Sequence, residues 1–237
     1  MPLLAAFSQP TGDLALLLSA PWIVLCGVMG LAALGHAVPR LAGLFAPARS
    51  AELATDAGLG LLAVGGLFLL AERLGLTLAG FGATTMLLGA IHYHFLGFGI
   101  LGLVAWAAAG RPRLAWLAAL GVVVGMPLAA AGMASQAPAL NWLGVLVIGL
   151  GGLAAVGLLL DRARRRGPLP ARLLLVGGAL ALAVGLALGV GWSSSHFLGF
   201  AFVDFEAMVR LHGTLNAGGV ILAALAGLAG HGREPAA

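Results

Sequence analysis

The chain carries very little charge and contains no lysine. Charged residues make up 8% of its 237 positions, whereas a water-soluble domain usually has about 25%. All 12 basic residues are arginines, which excludes Schiff-base chemistry that needs a lysine amine, such as a retinal linkage. Cys26 is the only cysteine, so a disulfide scaffold is excluded as well. So few polar groups cannot cover the surface of a soluble globule of this mass.

Long apolar runs fill most of the sequence. Hydrophobic residues make up 61% of the chain, and the mean hydropathy is +1.08. The runs are continuous over about 20 residues, which is the length of a membrane-crossing helix, and they do not alternate as barrel strands do. They predict a single domain, residues 1–237, that folds as an all-α integral membrane bundle. Its seven predicted transmembrane helices cover residues 14–35, 57–75, 81–109, 114–134, 138–160, 172–192 and 204–230.

The arginines indicate how the bundle is oriented. Ten of the 12 lie in the loops after helices one, three and five or in the C-terminal tail, all of which belong to one side. By the positive-inside rule, they predict a multi-pass protein of the cell membrane with its N-terminus outside and its C-terminus in the cytoplasm. The same distribution accounts for the net charge of +4. The expected surroundings are therefore lipid, and no nucleic-acid partner is expected.

Polar side chains within the predicted helices concentrate near the outer side. They occur at the end of helix two, in helix three and around the start of helix seven: Glu72, Arg73, His92, His94, His196, Asp204, Glu206, Arg210, His212 and Asn216. An ionisable group in a bilayer is costly unless it is paired or hydrated, so these groups mark a candidate functional site. Helix two leaves the membrane on the side where helices three and seven enter it. We therefore expect the groups to line one cavity in the outer half of the membrane.

The residue types in this cluster favour general acid–base catalysis. A histidine exchanges protons near neutral pH, and a carboxyl group beside it supplies the complementary acid or base. We predict Glu206 and His212 as the proton-transferring pair, with Asp204 and His92 as further catalytic groups. The groups predicted to bind substrate are His94, Arg210, Asn216, His196 and Glu72. The predicted reaction is an isomerisation, a cyclisation or an epoxide opening on a lipophilic small molecule, and it needs no cofactor.

Two local expectations accompany this site. Glu206 and Arg210 are four residues apart and are expected to form an ion pair across one helical turn. A helix from residue 196 to residue 230 would be about 52 Å long, whereas the hydrocarbon core of a bilayer is about 30 Å thick. Residues 193–203 are therefore expected to fold over the outer opening as a lid that presents His196 to the cavity.

Two other functions stay open at this stage. A small proton-coupled transporter would use the same groups to bind cargo and carry protons, although the cytoplasmic halves of the helices are almost purely apolar. A metal-binding or haem-binding membrane protein would need histidines from separate helices, for instance His92 and His212. His92 and His94 lie about 200° apart on an α-helix, so they cannot bind one ion without a local bulge. No metal site is predicted.

Two short motifs resemble a known family. The segment His92-Tyr93-His94-Phe95-Leu96-Gly97-Phe98 and the later segment His212-Gly213-Thr214-Leu215-Asn216-Ala217 are similar to the HxHxxGF-type and HGxxNA-type elements of the YndJ-like family of bacterial membrane proteins. The resemblance implies that His92, His94, Gly97, His212, Gly213 and Asn216 are family motif positions. Members of that family are often labelled transporters, so the resemblance supports the location of the site more than its reaction.

Overall fold

The protein is a bundle of membrane-spanning helices. A computed structural model describes residues 12–165, 167–198 and 203–231. Within this part of the chain, seven helices are long and apolar enough to cross a membrane. They are α1 (Asp13–Ala37), α2 (Ser50–Arg73), α3 (Ala83–Ala107), α4 (Pro112–Ala134), α5 (Pro138–Arg164), α6 (Leu169–Leu198) and α7 (Phe205–His231). The predicted all-α bundle of seven transmembrane helices is confirmed.

Consecutive helices run in alternating directions, so the bundle has two distinct ends. We call the end at which α1, α3 and α5 finish the arginine-rich end, and the other the arginine-poor end. α3 lies at the centre, where it packs against α2, α4, α5 and α7. α1 packs mainly on α2 and is the least buried of the seven helices. Its outward side consists of large apolar residues, as expected for a helix that faces lipid.

The middle of α3 is a π-helical segment, Tyr93–Ile100. Such segments are rare and occur frequently at functional sites. Two glycines in this segment let the neighbouring helices approach α3 closely. A Cβ on Gly97 would press on Leu61 of α2, and a Cβ on Gly99 would press on Val220 of α7. α3 can therefore approach helices on opposite sides at the same depth.

α2 begins earlier than the sequence predicts. The predicted start is residue 57, but the observed helix starts at Ser50 and includes the polar residues Glu52, Thr55 and Asp56. Asp56 is tolerated there because the His36 imidazole of α1 lies 2.8 Å from its carboxylate. Polar residues that look like a loop in the sequence thus form the first two turns of a helix.

The lid predicted for residues 193–203 is wrong over its first half. α6 continues as a helix to Leu198. The serines at this end do not break it, because the Ser194 hydroxyl donates to the Val190 carbonyl at 2.7 Å and the Ser195 hydroxyl donates to the Trp192 carbonyl at 2.6 Å. Their hydrogen-bonding capacity is met within the helix. Residues 199–202 of the predicted lid lie outside the described residues.

Candidate functional site between α3, α6 and α7

Two histidines from different helices stack on one another inside the bundle. The rings of His92 on α3 and His212 on α7 have centroids 5.6 Å apart and an interplanar angle of 24°. His92 lies about 14 Å and His212 about 10 Å from the start of its helix, at 1.5 Å per residue. Both helices start at the arginine-poor end, so the two rings meet within the membrane-spanning part of the bundle.

Backbone hydrogen bonds set the tautomer of each ring. Nδ1 of His92 is 2.8 Å from the Leu88 carbonyl, and Nδ1 of His212 is 2.7 Å from the Gly185 carbonyl of α6. A carbonyl only accepts, so each Nδ1 carries the hydrogen and donates it. Each neutral ring therefore presents an unprotonated Nε2, which is able to accept a proton.

The two Nε2 atoms differ in their surroundings. The amide Nδ2 of Asn216 donates to Nε2 of His212 at 2.9 Å, across the single helical turn that separates the two residues. Nε2 of His92 makes no hydrogen bond to any residue in the described ranges. Of the two, His92 therefore has the basic nitrogen available to a ligand.

Two glycines of α6 make room for the polar residues of α7. A Cβ built on Gly185 would overlap the side-chain amide of Asn216, and one on Gly189 would come within 3.2 Å of Cε1 of His212. The Oδ1 atom of Asn216 is buried against this surface and has no hydrogen-bond partner among the described residues. The amide is therefore half satisfied, with only its donor in use.

Gly185→Ala is expected to destabilise the protein. The added methyl group would force Asn216 off the His212 ring, and overpacking of this kind typically costs about 1–3 kcal/mol. Thermal unfolding of the purified protein in detergent measures the effect as a lower midpoint. Gly218→Ala on α7 is the matched control, because among the described residues no atom beyond its own stretch of helix lies within 4 Å of the position its Cβ would take. Equal midpoints for the two variants would contradict the close contact between α6 and Asn216.

His94 faces the opposite side of α3, towards α1 and α2. Its Nδ1 donates to the Ala90 carbonyl at 2.6 Å, and its Nε2 accepts the indole N–H of Trp22 at 2.7 Å. The Cys26 sulfur is 3.7 Å from the same Nε2, and Gly65 of α2 leaves the space that the ring occupies. The predicted separation of His92 and His94 around the helix is confirmed, and the π-helical segment does not bring them to one point.

The carboxylates predicted at this site lie elsewhere. The Glu206 and Arg210 side chains are 81% and 72% exposed, and they pair with each other at 3.8 Å as predicted. Asp204 is exposed and accepts the backbone N–H of Ala207 at 2.7 Å, which caps the first turn of α7. Glu206 precedes His212 by six residues, or about 240° around a helix. The structure does not bring Glu206 to His212.

The remaining predicted residues fall into two groups. Glu72 and Arg73 are buried at the arginine-poor end of α2 and lie 3.3 Å apart, in the mutual ion pair typical of charges at that depth. His196 belongs to the last turns of α6, but its side chain lies outside the described residues. Among the described residues no three histidine, cysteine, aspartate or glutamate side chains come together as a metal site.

Among the described residues, one buried ionisable group was not singled out from the sequence. Asp56 is buried near the start of α2, with the imidazole of His36 as its partner. Its only sequence signal is its position four residues after Glu52, directly before an apolar run. An acidic residue at such a position is typical of a loop, and its ion pair with α1 is visible only in the structure.

Comparison with known proteins identifies the family. A sequence profile described as YndJ-like protein matches residues 1–220, which include both histidine motifs. No curated protein and no solved structure matches the chain. The profile covers nearly the whole chain, and the matched region contains the stacked histidines of α3 and α7. The chain belongs to the YndJ-like family.

Proposed function

We propose that this membrane protein is an acid–base enzyme that acts on a lipophilic small molecule, with His92 and His212 as its proton-transferring groups. The supporting observation is the stacked pair of imidazoles, 5.6 Å apart, contributed by two helices at one depth. Histidine is costly within a bilayer and is usually functional there. The proposed reaction class is isomerisation, cyclisation or epoxide opening. In these reactions the enzyme returns as many protons as it removes, and no cofactor takes part.

In this proposal the two rings share one mobile proton, and His92 is the ring that meets the substrate. His92 takes a proton from the substrate through its free Nε2 and returns it at a second position. His212 lies against the His92 ring, where a second positive charge would be strongly repelled in a medium of low dielectric constant. The pair therefore holds one mobile proton at a time, as an acid–base shuttle requires.

Asn216 suits both protonation states of His212. When the ring is neutral, the amide donates from Nδ2 to Nε2, as observed at 2.9 Å. When Nε2 carries a proton, a half-turn of the amide lets the buried, unpartnered Oδ1 accept it. Asn216 is thus proposed as a positioning residue for His212. His94, on the other face of α3, is proposed to hold α1 and α2 in place beside the site.

The role of Glu206 in proton transfer stays a prediction. If Glu206 transfers the proton, Glu206→Gln should abolish turnover as completely as loss of His212 does, because the amide cannot titrate. If the histidine pair alone carries the reaction, the variant should retain wild-type turnover, since the carboxylate is exposed and paired with Arg210. Turnover of Glu206→Gln, measured beside Arg210→Gln, decides between the two assignments.

Identification of the substrate tests the proposed enzyme activity directly. Mass spectrometry of lipophilic molecules that copurify with the detergent-solubilised protein supplies candidates, and incubation with the protein shows which of them are converted. Elemental analysis of the same sample for iron, copper and zinc tests the metal alternative. Conversion by metal-free protein supports the proposal. Stoichiometric metal together with no conversion would replace it with a metal-binding function.

A proton-coupled transporter is the second candidate, and one observation favours it. The buried Asp56 near the arginine-rich end shows that polar groups occupy both halves of the bundle, whereas the sequence indicated only one. We propose that the protein lies in the cell membrane with its arginine-rich end in the cytoplasm. Flux of a copurified lipophile across proteoliposomes, without chemical change, would favour transport over catalysis.

A further inference from the structure

A second titratable pair lies far from the stacked histidines, near the arginine-rich end. Asp56 is about 9 Å from the start of α2, at 1.5 Å per residue, and its side chain is only 5% exposed. Nδ1 of His36, on α1, is 2.8 Å from Oδ1 and 3.1 Å from Oδ2. The His36 side chain is itself 52% exposed. A buried carboxylate is therefore paired with one half-exposed imidazole in the last turn of α1.

From this geometry we infer that Asp56 and His36 form a proton-exchange site that opens to the arginine-rich end. The ligand of this site is a proton. In the exchange step the hydrogen on Nδ1 of His36 moves to Oδ1 of Asp56, so an imidazolium–carboxylate pair becomes a neutral imidazole and a neutral carboxylic acid. The reverse step returns it, and the exposed side of the ring exchanges protons with water. The inference does not depend on the proposed enzyme activity.

The charged groups around the site support this route. Arg40, one turn after His36, donates to the His36 carbonyl at 2.7 Å and does not reach the carboxylate. Glu52 lies one turn before Asp56 on α2, and the Arg49 guanidinium lies near Gly43 in the connection. Residues 98–107 of α3 contain no ionisable side chain, and α4, which also packs on α2, carries Arg113 in its first turn at this end. Within the described residues, His36 is the only side chain that hydrogen-bonds to Asp56.

A second proton would change the contact between α1 and α2. With the carboxyl group neutral and the imidazole again cationic, the ion pair is lost. Elsewhere this helix interface includes small apolar contacts, such as Gly30 against Ala63 and Cys26 against Gly66. Proton uptake from the arginine-rich side would therefore loosen the end of α1 first.

Infrared difference spectroscopy of the full chain in lipid nanodiscs tests the inference. Acidification is expected to produce a carboxylic C=O band that shifts in D2O and is absent from Asp56→Asn. In His36→Gln the band is expected to remain, but its exchange from H to D should slow by about tenfold or more, because the imidazole that relays the proton is gone. Glu52→Gln and Asp161→Asn, at the same end, are controls that should keep both the band and the fast exchange.

Each contrary result overturns the inference. A band that persists in Asp56→Asn belongs to another carboxyl group. No band at any pH that the protein tolerates means that Asp56 stays ionised in a fixed ion pair with a structural role only. Exchange in His36→Gln as fast as in the unmodified chain means that protons reach Asp56 by another route. Asp56→Asn keeps the size and shape of the side chain, so its folded state can be checked by size-exclusion chromatography before the comparison.

Discussion

His212→Asn is expected to lower turnover of a copurified lipophilic substrate by about 10²- to 10⁴-fold, the usual contribution of a positioned acid–base group. Asparagine can still donate to the Gly185 carbonyl, which His212 Nδ1 contacts at 2.7 Å, but it cannot exchange a proton. His92→Asn should show the same loss for the same reason. The measurement is single-turnover conversion of the substrate by protein in nanodiscs.

Thr214→Ala is the control for this experiment. Thr214 lies on α7, two residues after His212, and its side chain is exposed. The variant should therefore keep wild-type turnover. The thermal midpoint of every variant has to remain near that of the unmodified protein, so that lost turnover reports lost chemistry. Unchanged turnover in both histidine variants would end the proposal that the stacked pair transfers protons.

Gly121→Leu is expected to prevent stable folding. Gly121 of α4 faces Gly151 of α5, and a Cβ at either position would overlap the backbone of the other helix. Small residues allow helices in a membrane to approach this closely, and van der Waals packing is then the main attraction between them. A leucine has to push α4 and α5 apart, so its cost should exceed the roughly 1–3 kcal/mol typical of overpacking.

The yield of monodisperse protein and its thermal midpoint measure this effect. Gly102→Leu on α3 is the matched control, because Gly102 is exposed and, within the part of the chain that the structure describes, no atom outside its own stretch of helix lies within 4 Å of a Cβ built there. That variant should behave like the unmodified chain. If Gly121→Leu were as stable as Gly102→Leu, the close approach of α4 and α5 would be refuted.

The sequence predicts at which end of the bundle each site residue lies, but it does not predict which side of its helix faces inwards. Chain direction follows from the order of the helices, so the sequence predicts that α3 and α7 begin at the same end, where His92 and His212 now lie 5.6 Å apart. Which side of each helix faces inwards depends on packing. Nearness in the chain makes Glu206 a candidate partner for His212, but its position around α7 directs its side chain outwards, where it is 81% exposed.

Asp56 is the opposite case, because the sequence predicts an exposed loop residue and the structure buries it. An acidic residue before an apolar run looks like part of a loop, and only the His36 imidazole, 20 residues earlier in the chain, makes its burial acceptable. The seven spans and their alternating directions followed from hydropathy and chain order alone, because lipid admits apolar helices and little else. The partners of the polar groups were decided by tertiary packing. Gly185, Gly65 and Gly66 leave the space in which side chains of neighbouring helices fit, and so determine which helix faces meet.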